Sequence, residues 1–136
     1  MNIALGLDAV EISRFGHWHA YTDAQLLKIF SPAEIIYCRS ISVKSAERFA
    51  ARFAAKEAFF KALCQLFAQK KLSFLPVAKH VTLQHHTTDS PYLAVQWQLL
   101  SICAPELLIA PPEVKVSVTH TKQTAIVCVI LIGQNS

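Results

Sequence analysis

One carboxylate inside an apolar helical segment constrains this chain more than any other feature. Residues 52–62, RFAAKEAFFKA, place Glu57 among aromatic and small apolar side chains. Ala, Lys, Glu and Arg favour helices, and a long stretch around this segment contains neither Gly nor Pro, so the sequence predicts a helix over residues 43–67. A carboxylate in such surroundings is costly unless it is paired or binds a metal.

Pairing and metal binding both remain open for Glu57. On a helix, Phe53, Glu57 and Lys61 share one face, so Glu57 and Lys61 could form an ordinary ion pair four residues apart. A metal role requires a second hard ligand, and the chain offers one near its start, Asp8.

Asp8 ends the segment 3–8, IALGLD, whose alternation predicts a strand. Asp8 and Glu11 have the spacing of a capping box, which would make Asp8 the start of a first helix. Alternatively, Asp8 converges with Glu57 on Mg²⁺, which accepts two carboxylates completed by phosphate oxygens and water. Gly6 would let another backbone approach closely beside it.

The rest of the pattern predicts one α+β domain, residues 1–136, with a long central helix packed on a small antiparallel sheet. Ser31 and Pro32 form a helix start signal. Strands are expected over residues 78–85, 92–98, 114–118 and 125–132, the last two as a hairpin, with a short helix as one option for 98–108.

Composition adds constraints on assembly and location. Hydrophobic residues make up 53% and charged residues 16% of 136 residues, which predicts a homo-oligomer that covers apolar surface. The longest apolar run, 125–132, is too short to span a bilayer as a helix, and no export signal is recognisable, so we expect no membrane association. The cysteines lack paired spacing and indicate buried thiols in a reducing cytoplasm: Cys38, Cys64, Cys103 and Cys128.

The net charge of +4 is modest, and the basic residues are spread loosely along the middle of the chain. This distribution favours a compact phosphate-rich ligand over a nucleic-acid track. His120, flanked by Thr119, Thr121 and Lys122, is either a surface turn residue or part of a phosphate-contacting turn. The other histidine pairs, 17 with 19 and 85 with 86, point their side chains in different directions and are not expected to bind metal.

Three segments, 6–12 (GLDAVEI), 52–62 and 116–121 (VSVTHT), resemble holo-(acyl-carrier-protein) synthase, the small bacterial type of phosphopantetheinyl transferase. The resemblance spans the whole domain. It implies a homotrimer with active sites at subunit interfaces, which moves 4'-phosphopantetheine from coenzyme A to a serine of apo acyl carrier protein. It also implies release of adenosine 3',5'-bisphosphate, a Mg²⁺ cofactor and a role in fatty acid biosynthesis.

The resemblance assigns roles to seven residues of this sequence. Asp8 and Glu57 correspond to the Mg²⁺ ligands, and Lys61 corresponds to a lysine that contacts phosphate. Glu57 and Lys61 are the implied catalytic residues, with Glu57 as general base. The remaining implied contacts are Arg52, His120 and Lys44 for coenzyme A and Arg14 for docking of the carrier protein.

The sequence departs from the family pattern after Ala62, where residues 63–67 continue the helix in place of a Gly-Thr-Gly loop. Lys70 or Lys71 could replace the loop contacts. A non-catalytic module of the same fold that binds coenzyme A or carrier protein is the alternative function. A small RNA-binding domain ranks last, because the aromatic residues gather on the helix instead of a sheet face.

Overall fold

The computed structural model describes residues 2–134, which form a three-stranded antiparallel sheet, a separate hairpin and one long helix. The elements in chain order are β1 (Asn2–Glu11), α1 (Asp23–Leu26), α2 (Pro32–Arg39), α3 (Ser45–Leu66), α4 (Phe74–Ala78), β2 (Val81–His85), β3 (Pro91–Val95), α5 (Trp97–Leu100), α6 (Glu106–Ile109), β4 (Glu113–His120) and β5 (Thr124–Gly133). Short 3-10 turns cover Ile12–Phe15, Trp18–Ala20 and Ser42–Lys44.

The sheet has the strand order β1-β5-β4, and α3 packs across it. Strands β2 and β3 form the separate hairpin. The predicted α+β fold, with a long helix on a small antiparallel sheet, is confirmed, and the predicted helix differs from α3 by only one or two residues at each end. The ambiguous segment 98–108 contains parts of two short helices, α5 and α6.

Helix α3 approaches β1 unusually closely at Gly6. A β-carbon placed on Gly6 would lie 1.7 Å from the carbonyl oxygen of Ala58 and 2.9 Å from the backbone nitrogen of Ala62. Both alanines are fully buried. Only small side chains fit where the two backbones come this close. The expected close approach at Gly6 is therefore present, and it fixes how far α3 stands from the strand that carries Asp8.

Side chains of α3 also satisfy the outer edge of β1. The amide of Leu5 donates to Gln65 Oε1 at 2.6 Å, and the carbonyl of Leu7 accepts from Lys61 Nζ at 3.0 Å. Gln65 and Lys61 are four residues apart, so they lie on one face of the helix. These contacts cover edge groups that would otherwise be open to pairing with another strand.

The two faces of β1 differ in a way that the sequence did not reveal. Gly6 and Asp8 point towards α3, whereas Ile3, Leu5 and Leu7 point away and are 60%, 51% and 58% exposed. The apolar side chains of this strand thus cover the outside of the sheet, and its small and acidic residues face the helix.

Asp8 lies within β1, which runs on to Glu11 and leads into a 3-10 turn. Its interpretation as the start of a capped helix is therefore wrong, because Asp8 is paired in the sheet opposite Val127. The expected start of α2 is confirmed: Ser31 Oγ accepts from the amide of Glu34, and the Glu34 side chain accepts from the amide of Ser31.

A buried ion pair joins α2 and α3. Lys56 and Glu34 are 1% and 3% exposed, and Lys56 Nζ lies 2.9 Å from Glu34 Oε1. The same ammonium donates to the carbonyl oxygens of Ala78 and Val81 at 2.9 and 2.5 Å. One lysine therefore links α3 to α2, to the end of α4 and to the start of β2, which restricts rotation of α3 about its own axis.

The prediction that all four thiols are buried is partly wrong. Cys38 is buried, Cys64 and Cys128 are partly exposed, and Cys103 is exposed because it lies in the turn between two short surface helices. Burial raises the pKa of the Cys38 thiol to about 12. Among the helices in the described part of the chain, none is long and apolar enough to cross a membrane.

The contact at Gly6 makes a stability prediction. We expect Gly6→Ala to destabilise the fold by at least about 2 kcal/mol, because the added methyl group meets backbone atoms that cannot move aside. Gly133→Ala is the matched control, since its β-carbon would first meet a side-chain atom of Leu66 at an ordinary 3.4 Å. Urea denaturation followed by circular dichroism measures both, and equal losses of stability would contradict the proposed close packing.

Candidate active site

Asp8, Glu57 and Lys61 come together where β1 packs against α3. Lys61 Nζ donates to Asp8 Oδ1 at 3.0 Å, in addition to its bond to the carbonyl of Leu7. The Asp8 side chain is 10% exposed and that of Lys61 is 50% exposed. The tertiary fold thus joins two of the predicted site residues across 53 positions of sequence.

The ordinary Glu57–Lys61 ion pair is not the pairing observed. Among the contacts of residues 2–134, Lys61 pairs with Asp8 instead. Glu57 nevertheless belongs to the same cluster: burial and the Asp8 carboxylate raise the pKa of Glu57, and Lys61 and Arg14 oppose this rise. The two carboxylates lie close together where water is partly excluded, and both depend on the same nearby positive charges.

The donor set fits a hard cation in one specific respect. Asp8 Oδ2 is buried and accepts no hydrogen bond from residues 2–134, so its bonding capacity is unused within the described chain. Carboxylate oxygen is what Mg²⁺ prefers. Within the described residues, no three acidic, His or Cys side chains form a metal cluster. Asp8 and Glu57 would hold such an ion only together with oxygens from a substrate or from water.

Arg14 lies on the 3-10 turn after β1, and its guanidinium is 5.2 Å from the centre of the Phe53 ring. Phe53 is one helical turn before Glu57, so Arg14 extends the same surface beyond the carboxylates. The aromatic cluster behind it includes Phe15 and Trp18, whose ring centres are 4.5 Å apart. A basic side chain packed against aromatic rings thus forms one side of the candidate site.

Arg52 does not lie beside Asp8 but lines a separate cavity. It is 5% exposed, its guanidinium stacks 4.1 Å from the centre of the Tyr37 ring, and its one hydrogen bond within residues 2–134, to the carbonyl of Arg48, is 3.5 Å long. The cavity has a volume of about 310 Å³ and is also lined by Thr82 and Gln84. Glu34 also lines this cavity, so the Arg52 guanidinium can donate to an anion there only beside a carboxylate.

His120 lies apart from both Asp8 and Arg52, where β4 ends beside the start of α3. Its Nε2 is 2.8 Å from Glu47 Oε1, and its Nδ1 is 3.3 Å from the carbonyl of Thr121. The cavity here has a volume of about 460 Å³ and is also lined by Lys122 and Val43. Lys44 is the residue immediately before α3, one turn from Glu47.

The structure therefore brings Asp8, Glu57, Lys61 and Arg14 into one cluster. Arg52 and His120 line separate cavities. The sequence interpretation missed the carboxylate partner of His120, Glu47, because the two residues are 73 positions apart and no local spacing connects them. It also missed the buried ion pair between Lys56 and Glu34, because the sequence does not distinguish Lys56 from the many other basic residues.

The family of the chain follows from comparison with known proteins. The model of the 4'-phosphopantetheinyl transferase superfamily matches residues 4–122. The chain is 34% identical over 134 residues to a holo-[acyl-carrier-protein] synthase of Treponema denticola, which covers 98% of this chain and 100% of the relative. It is 31% identical over 126 residues to the corresponding synthase of Cytophaga hutchinsonii, with coverage of 93% and 94%.

Solved structures share the fold. The complex of acyl carrier protein synthase with coenzyme A from "Chronobacterium ammoniagenes" superposes with a TM-score of 0.80 at 22% identity, and covers 99% of this chain and 100% of the other. The synthase of Mycobacterium tuberculosis superposes with a TM-score of 0.69 at 25% identity, with coverage of 98% and 100%.

The charge cluster predicts a gain in stability when Glu57 is neutralised. Its pKa is raised above 4.5 in the folded chain, so between 4.5 and the folded value the folded state binds more protons and stability falls as the pH rises. We expect Glu57→Gln to be more stable than the parent at pH 7, by no more than about 0.5 kcal/mol because solvent screens the partly exposed carboxylate. The advantage should shrink as the pH falls and vanish below 4.5.

Thermal unfolding at several pH values measures this difference. The matched control is Glu113→Gln, which makes the same charge change at an exposed residue paired with Lys115. A loss of stability in Glu57→Gln at pH 7, with Glu113→Gln neutral, would mean that Glu57 is stabilised by its surroundings.

Proposed function

We propose that this chain, which belongs to the 4'-phosphopantetheinyl transferase superfamily and within it to the holo-[acyl-carrier-protein] synthases, transfers 4'-phosphopantetheine from coenzyme A to a serine of apo acyl carrier protein. The observation that carries the proposal is the buried oxygen of Asp8, which has no partner within residues 2–134 and lies beside Glu57 and Lys61. Three charged groups at one point suit a reaction whose main tasks are to position a diphosphate and neutralise its charge.

Asp8 and Glu57 would hold Mg²⁺, which when bound supplies positive charge to the diphosphate. The serine oxygen of the carrier forms a bond to the phosphorus nearest the pantetheine. The bond from that phosphorus to the bridging oxygen breaks, and adenosine 3',5'-bisphosphate leaves with the electron pair. Glu57 takes the serine proton as the general base. Lys61 stabilises negative charge on the phosphates.

The remaining contacts to coenzyme A are proposed for Arg52, His120 and Lys44. Support comes from their surroundings: Arg52 presents a buried guanidinium to a cavity, and His120 shares a second cavity with Lys122. Cationic side chains of this kind suit the phosphates at the adenosine end of the ligand. Arg14, close to Glu57 on the same surface, is proposed to dock the acidic carrier protein so that its serine reaches the carboxylates.

A homotrimer with active sites at subunit interfaces is part of the proposal. Its support is the outer face of the sheet, where Ile3, Leu5 and Leu7 of β1 are largely exposed beside the aliphatic Ile130 and Ile132 of β5. An apolar sheet face of this extent is usually covered by a partner. In such a trimer, the residues that line cavities away from Asp8 in one subunit would complete the active site of a neighbouring subunit.

We place the reaction in the cytoplasm, as part of fatty acid biosynthesis. All four cysteines are unpaired, which suits a reducing compartment. One observation favours the alternative, a non-catalytic module of the same fold. Helix α3 continues to Leu66 without a glycine loop after Ala62, so the phosphate contacts that such a loop would provide must come from elsewhere, for example from Lys71.

The transfer itself can be tested by intact mass spectrometry. With Mg²⁺, coenzyme A and apo acyl carrier protein, we expect the carrier to gain the mass of phosphopantetheine, and chelation of the metal to stop the gain. Glu57→Ala should lower kcat/KM at least about a hundredfold, because it removes the base and a metal ligand together. Binding of coenzyme A without any mass gain on several carriers would favour the non-catalytic module.

Static light scattering tests the assembly. We expect a trimer at micromolar concentration and a monomer for Leu5→Asp, since a charge on the apolar outer face cannot be buried without a partner. Leu108→Asp is the control, because Leu108 is 61% exposed on α6 and not on the sheet. A monomeric parent protein, or a trimer that Leu5→Asp leaves intact, would contradict this assembly.

A further inference from the structure

The ammonium of Lys61 lies where the candidate site presents its negative charge. It is 3.0 Å from Asp8 Oδ1 and 3.0 Å from the carbonyl of Leu7, so it has two firm acceptors from β1. Asp8 is nearly buried, and a buried carboxylate needs such a counter-ion. Lys61 thus does for Asp8 what a bound cation would do.

A divalent cation on Asp8 would meet this ammonium at close range. Like charges a few ångströms apart repel, so an ammonium that remains against Asp8 lowers the affinity of this carboxylate for the metal. The Lys61 side chain is half exposed and can turn outward into solvent, whereas Asp8 is fixed in the sheet. Lys61 is therefore the group that moves.

An ammonium that leaves Asp8 needs another anion. The proposed diphosphate supplies one at the same site, and a phosphate oxygen accepts from a lysine as readily as a carboxylate does. Each ligand then assists the other: the cation frees Lys61 for the diphosphate, and the diphosphate holds Lys61 away from the cation. A positive coupling of this kind is reciprocal.

We infer that Lys61 is the internal counter-ion of Asp8, and that by exchanging Asp8 for a phosphate it couples binding of the divalent cation to binding of the diphosphate. The site accordingly accepts a cation–diphosphate pair and holds the free cation weakly. The diphosphate half rests on the proposed function. The half that concerns the cation rests on the contacts of Lys61 with Asp8 and Leu7.

The experiment compares Mg²⁺ affinity by calorimetry in the parent protein and in Lys61→Met, with and without coenzyme A and always without carrier, so that no turnover occurs. Without coenzyme A, we expect Lys61→Met to bind Mg²⁺ at least about fivefold more tightly, because the competing ammonium is gone. Coenzyme A should raise Mg²⁺ affinity of the parent by about 5- to 150-fold, and this factor should fall towards one in Lys61→Met.

Two controls separate the contact from general charge effects. Lys28→Met removes one positive charge from an exposed residue that makes no ion pair within residues 2–134, and should leave Mg²⁺ affinity unchanged. Lys61→Arg keeps the charge and should retain weak binding of the free cation. Nitrogen-15 spectra of the lysine ammonium groups give a direct readout: the Lys61 signal should be protected from exchange before Mg²⁺ is added and lose that protection afterwards.

Unchanged or weaker Mg²⁺ binding by Lys61→Met would overturn the inference, and so would an equal gain in Lys28→Met. These readouts do not require transfer activity. If coenzyme A fails to bind or to react while Lys61→Met still gains affinity for the free cation, the proposed function fails and the counter-ion role of Lys61 stands. If the parent protein transfers phosphopantetheine but Lys61→Met does not change the affinity for the free cation, the proposed function stands and the counter-ion role of Lys61 fails.

Discussion

The backbone contact between α3 and β1 at Gly6 is the constraint on which the rest of the structure depends. Because no side chain separates the two backbones there, the helix lies close enough for Lys61 and Gln65 to reach the edge of β1. The same closeness brings Glu57 into the field of Asp8. A larger residue at position 6 would push the helix away and weaken these contacts together, so packing and site geometry have one common cause.

Rotation of α3 about its axis is fixed from the opposite side by charge. The ammonium of Lys56 bonds to Glu34 and to two carbonyl groups while almost no water reaches it, so loss of either partner would leave a buried charge. Desolvation lowers the pKa of Lys56, and Glu34 opposes that shift. Adjacent lysine and glutamate residues of one helix therefore have opposite tasks: Lys56 anchors the helix, and Glu57 faces the open site.

Unequal sharing of charge in the cluster connects stability with the proposed function. Asp8 has an ammonium within hydrogen-bond distance, whereas Glu57 has a raised pKa and no such partner among the described contacts. Two acids beside one lysine lower stability, because the carboxylates repel each other. This loss of stability agrees with the proposed roles, in which the acids bind a cation and one of them accepts a proton.

The sequence by itself determined the long helix, most of the antiparallel strands and the close approach of a second backbone at Gly6, because helix propensity and alternation are local properties. It did not show that the apolar side chains of Ile3, Leu5 and Leu7 point away from the helix, since an apolar strand face is as suitable for a core as for an outer surface. Nor did it indicate that Lys61 pairs with Asp8 instead of Glu57, or that Glu47 lies beside His120. Those choices depend on distances between residues far apart in the chain, and only the tertiary structure sets them.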